Sequence, residues 1–125
     1  MPRILLVVDR VDTFEELAEA LHHEGDAEIQ WAHDSATALN KVVAHAPDLV
    51  VVDEYIGEVN GLDWIRRLIS VNAFIQTAAV SRLTHEVFHE TAEGLGIMAQ
   101  LPPRPGKNDA RRVLEMINKF SNLEK

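Results

Sequence analysis

At 125 residues with a net charge of −8, the chain is the size of one domain and is too acidic to be a general ligand for nucleic acid. Its 46% hydrophobic and 26% charged residues exclude wholesale disorder, and the absence of cysteine excludes disulfides, thiolate metal sites and a cysteine nucleophile. No apolar run nears the roughly 20 residues of a membrane helix, and Ile4–Val8 is too short for a secretory signal, so a cytoplasmic single domain over residues 1–125 is expected, without membrane or direct nucleic-acid binding.

In chain order, segments of two periods alternate. Ile4-Leu5-Leu6-Val7-Val8 reads as a strand buried on both faces. Thr13-Phe-Glu-Glu16 has the spacing of a capping box, with Phe14, Leu17, Ala18 and Leu21 following at helical intervals up to Gly25-Asp26. Glu28–Ala32 reads as a second strand. Ser35 to His45 reads as a helix with Leu39, Val42 and Val43 inward, stopped by Pro47-Asp48. Leu49-Val50-Val51-Val52 is the clearest strand, being almost entirely β-branched. After a loop from Asp53 to Gly61, Leu62, Ile65, Leu68 and Ile69 mark a third helix. Phe74 to Val80 is the expected fourth strand, Thr84 to about Glu93 the fourth helix and Ile97 to Leu101 the fifth strand. The prolines of Pro102-Pro103-Arg104-Pro105-Gly106 make a rigid loop. Asp109 is expected to cap a last helix with Val113, Leu114, Met116, Ile117 and Phe120 inward.

Five strands alternating with five helices predict an α/β fold, a doubly wound parallel sheet with helices on both faces. Such sheets place their chemistry beyond the carboxyl ends of the strands. There the chain puts Asp9 after the first strand, Asp53 after the third and Ser81 after the fourth, with Arg104 and Lys107 beyond the fifth. Two facing carboxylates suit a hard cation such as Mg2+. With it bound, a carboxylate oxygen can attack phosphorus while cations spread the developing charge. Aspartate after a strand is also a common turn former, so the set carries the argument and no member does alone.

Two other motifs lie outside that set. His85-Glu86-Val87-Phe88-His89 matches H-E-x-x-H, the zinc-hydrolase pattern of two histidine ligands and a glutamate base. The metzincin continuation fails, because Ala92 and Leu95 stand where glycine and histidine belong. Gly94-Leu-Gly96-Ile-Met-Ala99 has dinucleotide-fingerprint spacing but follows a helix and opens a strand, the reverse of the required order. It reads as a helix stop with Gly94 at the cap. Trp31 and Trp64 read as packing residues, and Arg111-Arg112 as an exposed helix face.

The chain resembles a response-regulator receiver domain, the phosphoacceptor module of two-component signalling, from about Arg3 to Phe120. The resemblance is carried by Arg3-Ile-Leu-Leu-Val-Val-Asp-Arg10, Pro47-Asp-Leu-Val-Val-Val-Asp53, Asn60-Gly61-Leu62 and Leu101-Pro-Pro-Arg-Pro105. It implies a flavodoxin-like fold and a regulatory domain rather than an enzyme. It implies Asp53 as the phosphoacceptor and Ser81 as a phosphoryl contact. It implies Mg2+ held by Asp9, Asp53 and the backbone carbonyl of Tyr55. The implied partner is a sensor histidine kinase or a histidine phosphotransfer protein, and the implied homodimer face is the fourth helix, fifth strand and fifth helix.

The departures are specific. The first member of the family's acidic pair is Val8 here, which weakens the Mg2+ site by one carboxylate, and Arg10 stands close enough to enter the same negative pocket. The family's lysine after the fifth strand falls on Pro103 without a gap, or on Arg104 with one inserted residue. Arg82 occupies a position that is usually small. Gln100 and Leu101 stand where an aromatic switch residue is common, and Gly57 replaces a loop proline. These departures support an alternative, a degenerate pseudo-receiver that binds a protein partner without phosphorylation. No DNA-binding or enzymatic segment is recognisable after Phe120, which leaves a single-domain regulator or part of a longer one.

Overall fold

A computed structural model of the chain describes residues 1–123 in backbone and 1–119 in side-chain environment. Strand β1 (Arg3–Val7) leads through a 3-10 turn (Val11–Phe14) to α1 (Glu15–Gly25), and β2 (Glu28–Ala32) to α2 (Ser35–Ala44). Then come β3 (Leu49–Val52), a small antiparallel ribbon of Tyr55–Ile56 against Val59–Asn60, α3 (Gly61–Val71) and β4 (Gln76–Val80). The chain continues through α4 (His85–Thr91), β5 (Ala99–Leu101) and α5 (Lys107–Leu123). The five long strands form one sheet in the order β2-β1-β3-β4-β5, with every neighbouring pair parallel. The doubly wound α/β architecture expected from the sequence is the one observed.

Alternation along the strands divides the core. Ile4, Leu6, Val8, Leu49 and Val51 pack with Phe14, Leu17, Leu21, Val113 and Ile117 beneath α1 and α5. Leu5, Val7, Val50 and Val52 pack on the other face with Val42, Leu62, Trp64, Ile65, Leu68 and Phe88. Successive strand residues point to opposite faces, so a strand covered on both sides must be apolar throughout, as β3 is. Trp64 is fully buried and its indole N–H donates to the Ser35 carbonyl at 3.0 Å, so it is a packing residue as read.

Several boundaries move for local reasons. The strand expected from Phe74 begins at Gln76, and Phe74 is 93% exposed in the turn before it. The fifth strand begins at Ala99 rather than Ile97, after Gly94 and Gly96 turn the chain with φ of +83° and +65°. Gly94 lies beyond the helix cap itself, which is Ala92. Val43 is 67% exposed, because Ala38 and Val42 take the inward stripe of α2. The capping box at Thr13 does not form: Thr13 lies in the 3-10 turn, and α1 starts without a side-chain cap. Asp109 lies inside α5, where its carboxylate reaches back to accept the Gly106 N–H at 2.9 Å, the reverse half of a capping box. Ala110, Val113 and Ile117 of α5 are buried, with Leu114 and Met116 partly so; the side chain of Phe120 lies outside the described residues.

Candidate functional site

Strand order reverses between β1 and β3, and both strands run their carboxyl ends to the same rim. Asp53 follows β3 directly. Its N–H donates to the Val7 carbonyl at 3.0 Å, which extends the ladder one residue past the strand and fixes where the side chain leaves the backbone. Its Oδ1 accepts the Glu54 N–H at 2.8 Å. The residue is half-buried. Burial pushes the Asp53 carboxyl above the ordinary carboxylate range. The Glu54 N–H opposes that shift, the charges of Asp9 and Glu54 add to it, and Arg82 opposes it.

The Asn60-Gly61 pair has two separate tasks behind this aspartate. Asn60 caps α3, its Oδ1 accepting from Leu62 N–H at 2.9 Å and Asp63 N–H at 3.3 Å. Gly61 donates its N–H to the Glu54 carbonyl at 2.8 Å and leaves no room for a side chain, since a Cβ there would overlap the Asp53 carbonyl oxygen. The helix start is thereby pressed against the loop that follows β3.

Asp9 faces this loop from the end of β1. Its Oδ2 accepts the Gly57 N–H at 2.6 Å, and Gly57 holds the φ of +63° that turns the ribbon toward it. Val8 points the other way, into the apolar cluster under α1 and α5, with no exposed surface. Its backbone stays in the sheet margin: the Val8 N–H donates to Ala32 O at 3.0 Å, and His33 Nδ1 lies 2.9 Å from Val8 O.

Ser81 continues β4 as Asp53 continues β3. Its N–H donates to the Leu101 carbonyl at 3.0 Å, and its Oγ accepts the Leu83 N–H at 3.1 Å. The residue is only 7% exposed. Gln100, one of the two residues that stand where an aromatic switch residue is common, donates from Nε2 to the carbonyls of Ser81 and Leu83 at 3.3 and 2.8 Å. Ser81, Arg82, Gln100, Leu101, Pro102 and Pro103 line one shallow cleft. Arg104 is not among these residues. Its backbone has a φ of +51°, and its guanidinium lies 3.6 Å from Asp12.

Asp9 and the half-buried Asp53, its carboxyl pushed up, thus meet the same loop at the β1–β3 rim, with the buried Ser81 hydroxyl at the end of the next strand. The sequence matches the response regulator receiver domain family over residues 4–104. The chain belongs to that family. This receiver is 28% identical over 127 residues to protein-glutamate methylesterase/protein-glutamine glutaminase 1 of Methanospirillum hungatei, a match covering 98% of the chain and 37% of that protein. It spans about a third of the length of the curated relatives it matches. Two solved structures show the same fold. The N-terminal domain of an uncharacterized protein from Wolinella succinogenes superposes with a TM-score of 0.82 at 22% identity, all of both chains covered. The chemotaxis response regulator CheY4 of Vibrio cholerae gives 0.80 at 17% identity, covering 94% of this chain and 98% of that one.

The donor set expected for Mg2+ is hard oxygen: the carboxylates of Asp9 and Asp53, which both meet the loop after β3, and the backbone carbonyl of Tyr55 in that loop. That chemistry fits Mg2+, which keeps several waters and needs few protein ligands. It is one carboxylate short at Val8, and one oxygen of Asp9 is engaged by the Gly57 N–H. The H-E-x-x-H residues stand elsewhere. His85 and His89 are exposed on α4, with rings stacked at 6.4 Å, and among the described residues no three His, Cys, Asp or Glu side chains gather around a metal position. The zinc-hydrolase reading therefore has no third ligand there. Among the same residues, no helix is long and apolar enough to cross a membrane.

Two site residues carried no sequence signal of their own. Glu54 accepts the Arg82 N–H at 2.7 Å, and Asp12 pairs with both Arg10 at 3.7 Å and Arg104 at 3.6 Å. Glu54 and Arg82 are 28 positions apart, so only the fold brings them together.

Proposed function

We propose that this receiver accepts a phosphoryl group on Asp53 from a phosphohistidine of a sensor kinase or a histidine phosphotransfer protein. The observation that carries this reading is the acceptor itself, a half-buried aspartate at the end of the central strand, facing Asp9 across the β1–β3 crevice. Oδ1 of Asp53 is held by the Glu54 N–H, which leaves Oδ2 outside that bond. Desolvation makes the carboxylate more basic and so a better nucleophile. One of its oxygens forms the new P–O bond as the P–N bond to the donor imidazole breaks. The imidazole keeps the bonding pair and takes up a proton from water. Ser81 turns its hydroxyl proton toward a phosphoryl oxygen while its Oγ still holds the Leu83 N–H. Asp9, Asp53 and the Tyr55 carbonyl would hold Mg2+, which when bound would neutralise phosphoryl charge.

The phosphoryl group adds about −1.5 to −2 charge beside β4. Ser81 is tied through Gln100 to β5, and Arg112 of α5 donates to the Gln100 carbonyl at 2.7 Å. The charge is therefore felt on the α4-β5-α5 face, where Leu83 and Val87 are exposed and where a second receiver would pair.

The burial of Val8 favours a second reading, a pseudo-receiver that binds its partner without phosphorylation. Intact mass after incubation with Mg2+ and a small acyl phosphate separates the two. A gain of one phosphoryl group that Asp53→Asn abolishes is the expected result. A folded chain that gains none is the pseudo-receiver.

A further inference from the structure

Arg104 is the one cation among the two positions, 103 and 104, that can stand for the family lysine, yet its guanidinium pairs with Asp12. Its side chain is 68% exposed and paired with Asp12, and it does not border the cleft beside Ser81. Arg82 does border it. Two donors of Arg82 converge on one carboxylate: the main-chain N–H reaches Glu54 Oε2 at 2.7 Å, and the guanidinium Nε lies 3.8 Å from Oε1. That carboxylate belongs to the residue directly after the acceptor. A main-chain N–H beside a guanidinium suits a phosphoryl oxyanion as well as it suits a carboxylate.

We propose that Arg82, rather than Arg104, is the cation that compensates the phosphoryl charge on Asp53, and that Glu54 holds its two donors as a placeholder for that anion. The inference rests on the phosphoacceptor reading above. A carboxylate carries a single charge, whereas an aspartyl phosphate carries more and presents three acceptor oxygens, so the phosphoryl group wins the competition. Glu54 is also repelled by the new charge on its neighbour. The pair it gives up is weak, because Arg82 is 76% exposed and its ion pair is screened by water. Arg82 already acts on Asp53, opposing the upward push of burial on that carboxyl. When Arg82 leaves Glu54, the Ser81–Leu83 turn moves with it, because the Leu83 N–H is bound to Ser81 Oγ.

The test follows labelling of the full chain by a small acyl phosphate with Mg2+, read by intact mass over time. Arg82→Ala should slow labelling by about tenfold, the loss of one charge-stabilising donor in a half-open site, and Arg82→Lys should recover part of that loss. Glu54→Gln should speed it by about two- to fivefold, since a weak competing pair is removed. Arg104→Ala should stay within about twofold of wild type. Independently of rate, the Arg82 amide and Nε NMR signals should shift on phosphorylation while those of Arg104 stay put. Wild-type labelling that survives Arg82→Ala and fails in Arg104→Ala overturns this inference alone. A folded wild type that takes no label overturns the phosphoacceptor reading and this inference with it.

Discussion

Between β1 and β3, Asp9 and Asp53 each accept one main-chain N–H at the side chain, from Gly57 and Glu54, and among the described residues neither forms an ion pair, although the charge of Arg82 is felt at Asp53. Between β4 and β5, the polar groups are tied to one another: Ser81 to Leu83, Gln100 to both, and Arg82 to Glu54. The first crevice stores negative charge in partial burial. The second has its hydrogen bonds already made, so a new anion there must displace an existing partner. Under the proposed function, the same rim carries an acceptor half around Asp53 and a response half whose hydrogen bonds are already made.

Val8 is where the acceptor half departs most from its family, and restoring the acid should have the largest effect. Val8 lies without exposed surface among Phe14, Leu17 and Leu101. Val8→Asp places a carboxylate in that apolar cluster, and in metal-free buffer should cost about 3 kcal/mol of stability in a denaturant titration. If the new carboxylate swings to the rim, added Mg2+ should return more stability to the variant than to wild type, because a ligand of the folded state stabilises by mass action. Equal Mg2+ effects on both chains would show that position 8 is committed to the core and has left the acidic pocket altogether.

Gly61 tests how tightly the acceptor loop is clamped. Its absent Cβ is what allows α3 to start against the Asp53 carbonyl. Gly61→Ala should cost about 2 kcal/mol, as overpacking against backbone does, and should slow labelling of Asp53. Loss of stability with labelling unchanged would mean that the clamp serves the fold and leaves the acceptor's reactivity untouched.

This half of the rim was legible in the sequence because its signals are local. A β-branched run ending in aspartate marks the strand end, and with Asn60-Gly61 behind it carries the family resemblance; the structure adds that Asn60 caps α3. The parallel sheet with helices on both faces follows from strand-helix alternation for the same reason. In the other half the sequence marks Ser81 at a strand end but not its partners, because most of those pairings are long-range. Nothing in the sequence says that Glu54 meets Arg82 or that Gln100 bridges Ser81 and Leu83. Arg104 drew attention by its place after the fifth strand, but backbone direction decides where a side chain goes, and a φ of +51° within a proline-rich loop turns it to Asp12. The sequence places Phe74 at the start of a strand, whereas the Asn72 carboxamide, which accepts the Phe74 N–H at 3.0 Å, holds it in the preceding turn.

The smallest of these effects bears on the charge stored in the acceptor half. The folded state raises the Asp53 carboxyl, burial being the main cause, so it favours the protonated form. Ionised Asp53 then costs stability. The cost is full above the raised value, shrinks as pH falls from there to the ordinary carboxylate value, and is absent below it. Asp53→Asn removes the charge and keeps an Oδ1 acceptor for the Glu54 N–H. In metal-free buffer near neutral pH the variant should therefore be the more stable chain, by on the order of 1 kcal/mol or less given partial screening by water. The difference should narrow as the buffer is made acidic. Thermal unfolding of both chains across that range measures it. A variant less stable than wild type at neutral pH would mean that Arg82 and the Glu54 N–H outweigh burial, and that the acceptor half is as well compensated before phosphorylation as the response half.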